Sequence, residues 1–290
     1  MVKHHFVHSL WTAPMQSDKR KLEVTALVYS LSVAYLKRFG CSINLHTDSL
    51  GKKLLGGIGY DHIYLTVEEI PTNISPKIFA YPKSMALEKE PVGTVHIDGD
   101  VFIKTEECLD RIFNHDCECV VQSYETQLPW LQSAKTFMIP VLAENLLSTG
   151  EKLEIRDYDC NTGVIGFFND ELKNLYISNY QELAKKLSKY EYLYLVNNQD
   201  GKFYCPDFVL EQQLISHLTS NRKVRCVLPV DSIPYIVERN EVAKQIGYTH
   251  LLGPTKYDED VIEKVKGRLE EFGLLEKVLK NMNEALYESK

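Results

Sequence analysis

The chain has 290 residues, 44% of them hydrophobic and 25% charged, enough to bury a sizeable core without disulfides or structural metals. A formal net charge of -7 argues against nucleic acid as the main partner, because phosphate backbones are met by clustered Lys and Arg. The seven scattered cysteines do not form a secreted disulfide framework, and no window approaches the roughly 18 to 20 apolar residues that span a bilayer.

In chain order, residues 3–10 read as a strand. Residues 20–39 read as a helix, with Leu22, Leu27, Leu31, Tyr35 and Phe39 near helical spacing and Gly40 at the C-cap. A second strand runs from Ser42 to His46 and ends in Thr47-Asp48, and a third lies around His62 to Leu65. After Pro76 a helical stretch reaches about Lys89. The run Gly93 to Ile97 then ends at Asp98. This β-α-β-α-β rhythm predicts an α/β fold with a mostly parallel central sheet and helices on both faces. Such sheets bind ligands beyond the carboxyl ends of their strands, where Asp98 falls.

Further along, Asn161 to Phe168 reads as a buried strand, and Asp170 as the cap of a helix through Leu187. Residues 207–219 read as helix and 223–228 as strand. From Asp258 to about Glu288 an apolar stripe runs through Val261, Val265, Leu269, Phe272, Leu275, Leu279 and Leu286. Its polar side mixes Glu and Lys, so it reads as a helix packed on its own domain rather than on a membrane. No basic start with an apolar run resembles a signal peptide, and no repeat or linker divides the chain. A cytoplasmic protein is expected, with no membrane span and with peripheral membrane association left open.

Three Asp-x-Asp pairs occur: Asp98/Asp100, Asp157/Asp159 and Asp258/Asp260. The second follows a charged segment and the third opens a helix, where acids favour the dipole. Only Asp98/Asp100 sits between two apolar runs, Val95 to Ile97 and Val101 to Ile103. Carboxylates held that close to a core need a compensating cation, and residues i and i+2 of an extended chain face the same side. A divalent ion meets both conditions, while Gly99 lets a ligand approach the backbone. A solvated turn is the plain alternative.

Ile97-Asp98-Gly99-Asp100-Val101 resembles the motif of haloacid-dehalogenase-like phosphatases, in which the first Asp is the nucleophile and the second a general acid. That pair, however, normally ends the first strand, whereas here two or three β-α units precede it. His250-Leu251-Leu252-Gly253-Pro254-Thr255-Lys256 resembles the His-x-x-Gly-x-x-Lys motif of glycosyltransferase family 8, the glycogenin and bacterial galactosyltransferase group. Other segments follow that family's order. Tyr81-Pro82-Lys83-Ser84 resembles the segment whose Lys reaches the donor. Asn161-Thr162-Gly163-Val164 resembles its Asn-x-Gly-Val stretch, and Glu211-Gln212-Gln213-Leu214 its Asp-Gln-x-x-Leu segment. The departures are Glu211 in place of Asp, no Pro-Trp after Lys256, and a first loop that is not a close match.

The resemblance implies a GT-A (nucleotide-diphospho-sugar transferase) fold, with a catalytic domain over 1–257 and a C-terminal helical extension over 258–290 packed on it. It implies transfer of a hexose from a UDP-sugar donor to a glycan or other hydroxyl acceptor, with retention. Asp98, Asp100 and His250 would hold Mn2+ or Mg2+, Lys256 would neutralise the leaving diphosphate, and Gly253 would let backbone approach it. Lys83, Gly163, Asp48 and Trp11 would contact the donor, with Gln212 and Asn161 beside the reacting carbon. Without the resemblance, each of these has an ordinary reading: Asp48 as a turn residue, Trp11 as core, Lys83 as a solvated helix residue. Tyr124 and Trp130 are candidates for stacking on acceptor rings. The alternatives are the phosphatase and a sugar-nucleotide or glycan-binding module of the same fold without turnover.

Overall fold

The structure, a computed structural model, describes residues 4–113, 116–126, 147–189, 206–228 and 236–288. Its strands are β1 (His5–Leu10), β2 (Ser42–Thr47), β3 (His62–Tyr64), β4 (Val95–Ile97), β5 (Val101–Ile103), β6 (Cys119–Thr126), β7 (Tyr158–Phe167), β8 (Val224–Cys226) and β9 (Tyr248–His250). Seven form one sheet in the order β3-β2-β1-β4-β7-β6-β8, and β5 pairs with β9 in a separate ribbon. In the large sheet β1 is parallel to β2 and β4, β2 to β3, and β6 to β8, whereas β7 runs antiparallel to β4 and β6. The expected mostly parallel α/β architecture is what the chain adopts.

Two apolar clusters cover the sheet's faces. On one face lies α1 (Lys19–Arg38), capped by Asp18, whose side chain accepts from Lys21 N at 3.1 Å. Gly40 follows at φ 70°, a conformation that costs an L side chain about 1–2 kcal/mol. Short α2 (Ser49–Leu55) starts from Asp48. The opposite face carries α3 (Tyr81–Lys89), which begins later than Pro76 because Pro82 suits a first turn and residues 76–80 form turns. The amphipathic α4 (Glu106–Phe113) follows β5.

Next comes α5 (Asp170–Leu187), where the structure corrects the expected cap: Asn169, not Asp170, accepts from Leu172 N, at 2.9 Å. Then come α6 (Pro206–Leu218) and α7 (Ile236–Gln245). The C-terminal stripe is two helices rather than one, α8 (Glu259–Glu271) and α9 (Leu275–Leu286). The break falls at Gly273, φ 69°. Both pack on α1, and α9 also packs on α2, where Asn281 Nδ2 donates to Leu54 O and Gly56 O at 3.1 and 2.8 Å. Among the described residues no helix is long and apolar enough to cross a membrane.

Candidate active site

Strand order places the site. From β1 the sheet continues through β2 to one side and through β4 to the other, so the crevice beyond the ends of β1 and β4 is a topological switch point. Trp11 follows the end of β1, Asp48 the end of β2 and Asp98 the end of β4. The chain then turns through Gly99 and Asp100 into β5. The β5–β9 ribbon sets Val101 against His250, and Leu251 N donates to Asp100 O at 3.0 Å. That pairing is the physical reason why Asp100 and His250, far apart in sequence, become neighbours.

One ligand atom each from Asp98, Asp100 and His250 lies within 4.8 Å of the others. Ligands of a common ion at about 2.0–2.6 Å sit at most about 4–5 Å apart, so the group fits one cation. Two carboxylate oxygens and an imidazole nitrogen form a mixed oxygen and nitrogen donor set of the kind that holds a divalent cation. The Asp98 side chain is 33% exposed, the Asp100 side chain only 12%.

Two lysines flank the pair. Lys256 Nζ is 2.6 Å from Asp100 Oδ2, and His250 Nε2 is 3.3 Å from Asp100 Oδ1. Burial alone would raise the Asp100 pKa, but the charge and hydrogen bond of His250, and then those of Lys256, hold it well below the usual carboxylate range. Lys83, buried on α3, bridges Asp98 Oδ1 at 3.0 Å and Glu211 Oε1 at 2.8 Å, and also donates to Thr162 O at 2.9 Å. Burial favours its neutral form, yet Asp98 and Glu211 outweigh that and keep it charged. Burial, reinforced by Asp98 and opposed by Lys83, pushes the Glu211 carboxyl up.

The Asn161–Val164 stretch lies on β7 beside this cluster. Asp98 N donates to Gly163 O at 2.8 Å, and Asn161 Oδ1 accepts from Gly163 N at 2.9 Å while its Nδ2 donates to Glu125 Oε1 at 2.8 Å. A Cβ on Gly163 would lie 2.3 Å from Gln122 Oε1 and 2.6 Å from His250 Cε1. One expectation changes at Gly99: a Cβ there would meet the Tyr29 ring at 2.1 Å, so a protein ring, not a ligand, makes the close approach. Tyr29 OH donates to Ser9 O at 2.7 Å and so ties the turn to β1.

Asp48 is engaged at both oxygens: it accepts from Thr12 N at 2.8 Å, from Thr12 Oγ1 and from Gly51 N at 2.9 Å. It thereby fastens the loop that carries half-buried Trp11. Gly253, at φ 58°, has open space around the position of a Cβ and starts the turn that carries Lys256. Gln212 is buried with an Oε1 that has no hydrogen-bond partner among the described residues. Tyr124 packs edge-on against Tyr158, 5.0 Å between centroids, and Trp130 lies outside the described residues.

Three features escaped the sequence reading. Asp159, set aside because its pair follows a charged segment, is fully buried on β7 and accepts from Gln213 Nε2. Glu211 shares Lys83 with Asp98. Gln122 Oε1 accepts from His250 Nδ1 at 2.8 Å and from Tyr248 OH at 2.7 Å. An amide after two valines in a buried strand is the one sequence signal that could have found Gln122.

A family model described as a family of unknown function (DUF6734) matches residues 4–272. No curated protein matches the sequence. Among solved structures, the bifunctional glycosyltransferase WbbM is similar at 12% identity and TM-score 0.46, over 96% of this chain and 51% of that one. LgtC, a galactosyltransferase solved with donor and acceptor sugar analogs, is similar at 13% identity and TM-score 0.45, over 92% and 95%. The glycosyltransferase GlyE of Streptococcus pneumoniae TIGR4 matches at 12% identity and TM-score 0.41, over 100% and 64%. The chain thus spans about half the length of WbbM, and likeness at this level carries no chemistry across.

Proposed function

We propose that this chain, which belongs to the DUF6734 family of unknown function, is a metal-dependent glycosyltransferase of the GT-A type that moves a hexose from a UDP-sugar to an acceptor hydroxyl. The observation that carries this reading is the convergence of Asp98, Asp100 and His250, flanked by Lys83 and Lys256, at the switch point of the sheet. Such a donor set holds Mn2+ or Mg2+, which when bound offsets charge on a leaving diphosphate.

The chain's own residues divide the remaining work. Lys256 is the cation for the diphosphate, and Gly253 lets backbone come near it. Trp11 and the loop fastened by Asp48 face the nucleoside beyond β1 and β2. Lys83, Asn161, Gly163 and Gln212 lie on the sugar side, with the resemblance to family 8 supporting retention of configuration. Residues 1–257 would form the catalytic domain and 258–290 its helical extension, working in the cytoplasm.

The test is thermal stabilisation by UDP with and without Mn2+, followed by UDP release from UDP-glucose and UDP-galactose. UDP and Mn2+ together are expected to raise the melting temperature more than the sum of each alone, and Asp100→Ala to abolish that synergy. Absence of synergy in the wild type would overturn the reading. Hydrolysis of p-nitrophenyl phosphate lost in Asp98→Asn would point to the phosphatase instead.

A further inference from the structure

Resting on the reading of Asp98, Asp100 and His250 as a cation site, we infer that Gln122 is the positioning residue for His250, selecting with Tyr248 the imidazole nitrogen that faces the ion. The chemistry follows from what each atom can do. An amide oxygen only accepts hydrogen bonds, so His250 Nδ1, 2.8 Å from Gln122 Oε1, carries the proton. Nε2 is then the nitrogen whose proton points at Asp100 Oδ1, 3.3 Å away, and a cation taking that proton's place would meet the ring's lone pair there. Without Gln122 the proton is free to sit on Nε2, and that tautomer has nothing to offer a cation.

The amide itself is held in orientation. Tyr248 OH donates to the same Oε1 at 2.7 Å, so one amide oxygen serves both partners and a flip would lose the Tyr248 bond as it stands. Gln122 and Tyr248 are both deeply buried, where an unmatched polar group costs about 1–3 kcal/mol. The backbone makes room for the arrangement in two ways. The register of β6 against β7 shifts between Val121 and Ser123, and such an irregularity re-aims a side chain. Gly163, opposite, lacks the Cβ that would collide with both Gln122 and His250.

The experiment is Mn2+ titration of the full chain, read by the electron paramagnetic resonance of free Mn2+, with electron spin-echo modulation reporting directly bound imidazole nitrogen. Loss of an outer partner of a metal-bound histidine typically costs about 10–100-fold in metal affinity. Gln122→Leu is therefore expected to weaken Mn2+ binding at least tenfold and to remove the nitrogen modulation. Gln122→Glu, which still accepts from Nδ1, keeps both, with affinity equal or tighter. Tyr248→Phe retains the buried ring but frees the amide to flip, and gives an intermediate loss even where Gln122→Leu does not fold.

Asp100→Ala separates the two claims. A wild type that binds no Mn2+, or an Asp100→Ala variant that binds it unchanged, sinks the cation site and this inference together. Mn2+ binding that is lost in Asp100→Ala but unchanged, with full nitrogen modulation, in Gln122→Leu and Tyr248→Phe overturns the role of Gln122 alone.

Discussion

Lys256 Nζ sits 2.6 Å from Asp100 Oδ2, on the same carboxylate that a cation would use. The lysine therefore acts as the carboxylate's counter-ion, and an incoming metal ion has to compete with it. In the proposed reaction a diphosphate would reverse the balance, since it would give the ammonium a better partner and leave Asp100 to the metal. Lys256→Met should accordingly bind Mn2+ alone about three- to tenfold more tightly, the equivalent of up to about 1.4 kcal/mol of relieved competition. The same variant should bind UDP in the presence of Mn2+ at least tenfold more weakly. Calorimetry of both titrations checks it, and weakening of both would show that Lys256 never competes.

Lys83 makes a different kind of contact, because it is buried against two carboxylates at once. Removing one partner of a buried ion pair costs about 3–5 kcal/mol, and Lys83→Met is expected to lose that much stability at neutral pH. Glu211, already pushed up by burial, then loses its main stabilising charge and rises further. A carboxyl whose folded pKa lies above its unfolded value loses stability as pH rises from the unfolded value through the folded one. The penalty of Lys83→Met should thus be smaller at pH 5 than at pH 8 in urea unfolding, and Lys83→Met/Glu211→Gln should recover part of it. A pH-independent penalty would remove Glu211 from the account.

How much of this was legible in the chain depends on distance along it. The β1-α1-β2 start could be read because its signals are local: helical spacing runs from Leu22 to Phe39, Gly40 ends α1, and Thr47-Asp48 closes β2. Asp98 was legible as a strand-end acid between apolar runs. The partners of that acid were not, since β5 meets β9 only through long-range pairing that no periodicity encodes. Family resemblance flagged His250 and Lys256, whereas contact geometry explains them. Gln122 and Asp159 escaped because alternation along β6 and β7 says nothing about which buried polar group has a partner across the sheet. Gly99 shows the converse error, a glycine credited to ligand approach when Tyr29 needs the space.

His8, on β1, gives the acid limb of stability its own signature. It is fully buried between Tyr60 OH, 2.7 Å from Nδ1, and Ser32 Oγ, 3.3 Å from Nε2. Burial, partly opposed by Asp100, pushes its pKa down to about 3. An unfolded histidine near 6.5 takes up a proton that the folded one refuses, so stability is full above that value and falls as pH drops toward 3. One such group costs about 2 kcal/mol by pH 5, above the range in which most carboxylates titrate. His8→Gln should flatten the decline between pH 7 and 5 by about that amount, whatever its stability at pH 7. Equal slopes for variant and wild type in urea unfolding would mean that His8 takes up its proton in the fold.

Two glycines of the candidate site should fail for opposite reasons when replaced by alanine. At Gly163 the backbone is an ordinary strand, but the new Cβ would stand 2.3 Å from Gln122 Oε1 and 2.6 Å from His250 Cε1. Both side chains must move, and overpacking of this kind costs about 1–3 kcal/mol. Because the ring displaced is His250, Gly163→Ala should also weaken Mn2+ binding at least tenfold. At Gly253 the space is open and only the positive φ of 58° is at stake, worth about 1–2 kcal/mol for an L residue. Gly253→Ala should therefore lose comparable stability yet bind Mn2+ alone as the wild type does. Equal Mn2+ affinities in the two variants would break the link between the space at Gly163 and the placement of His250.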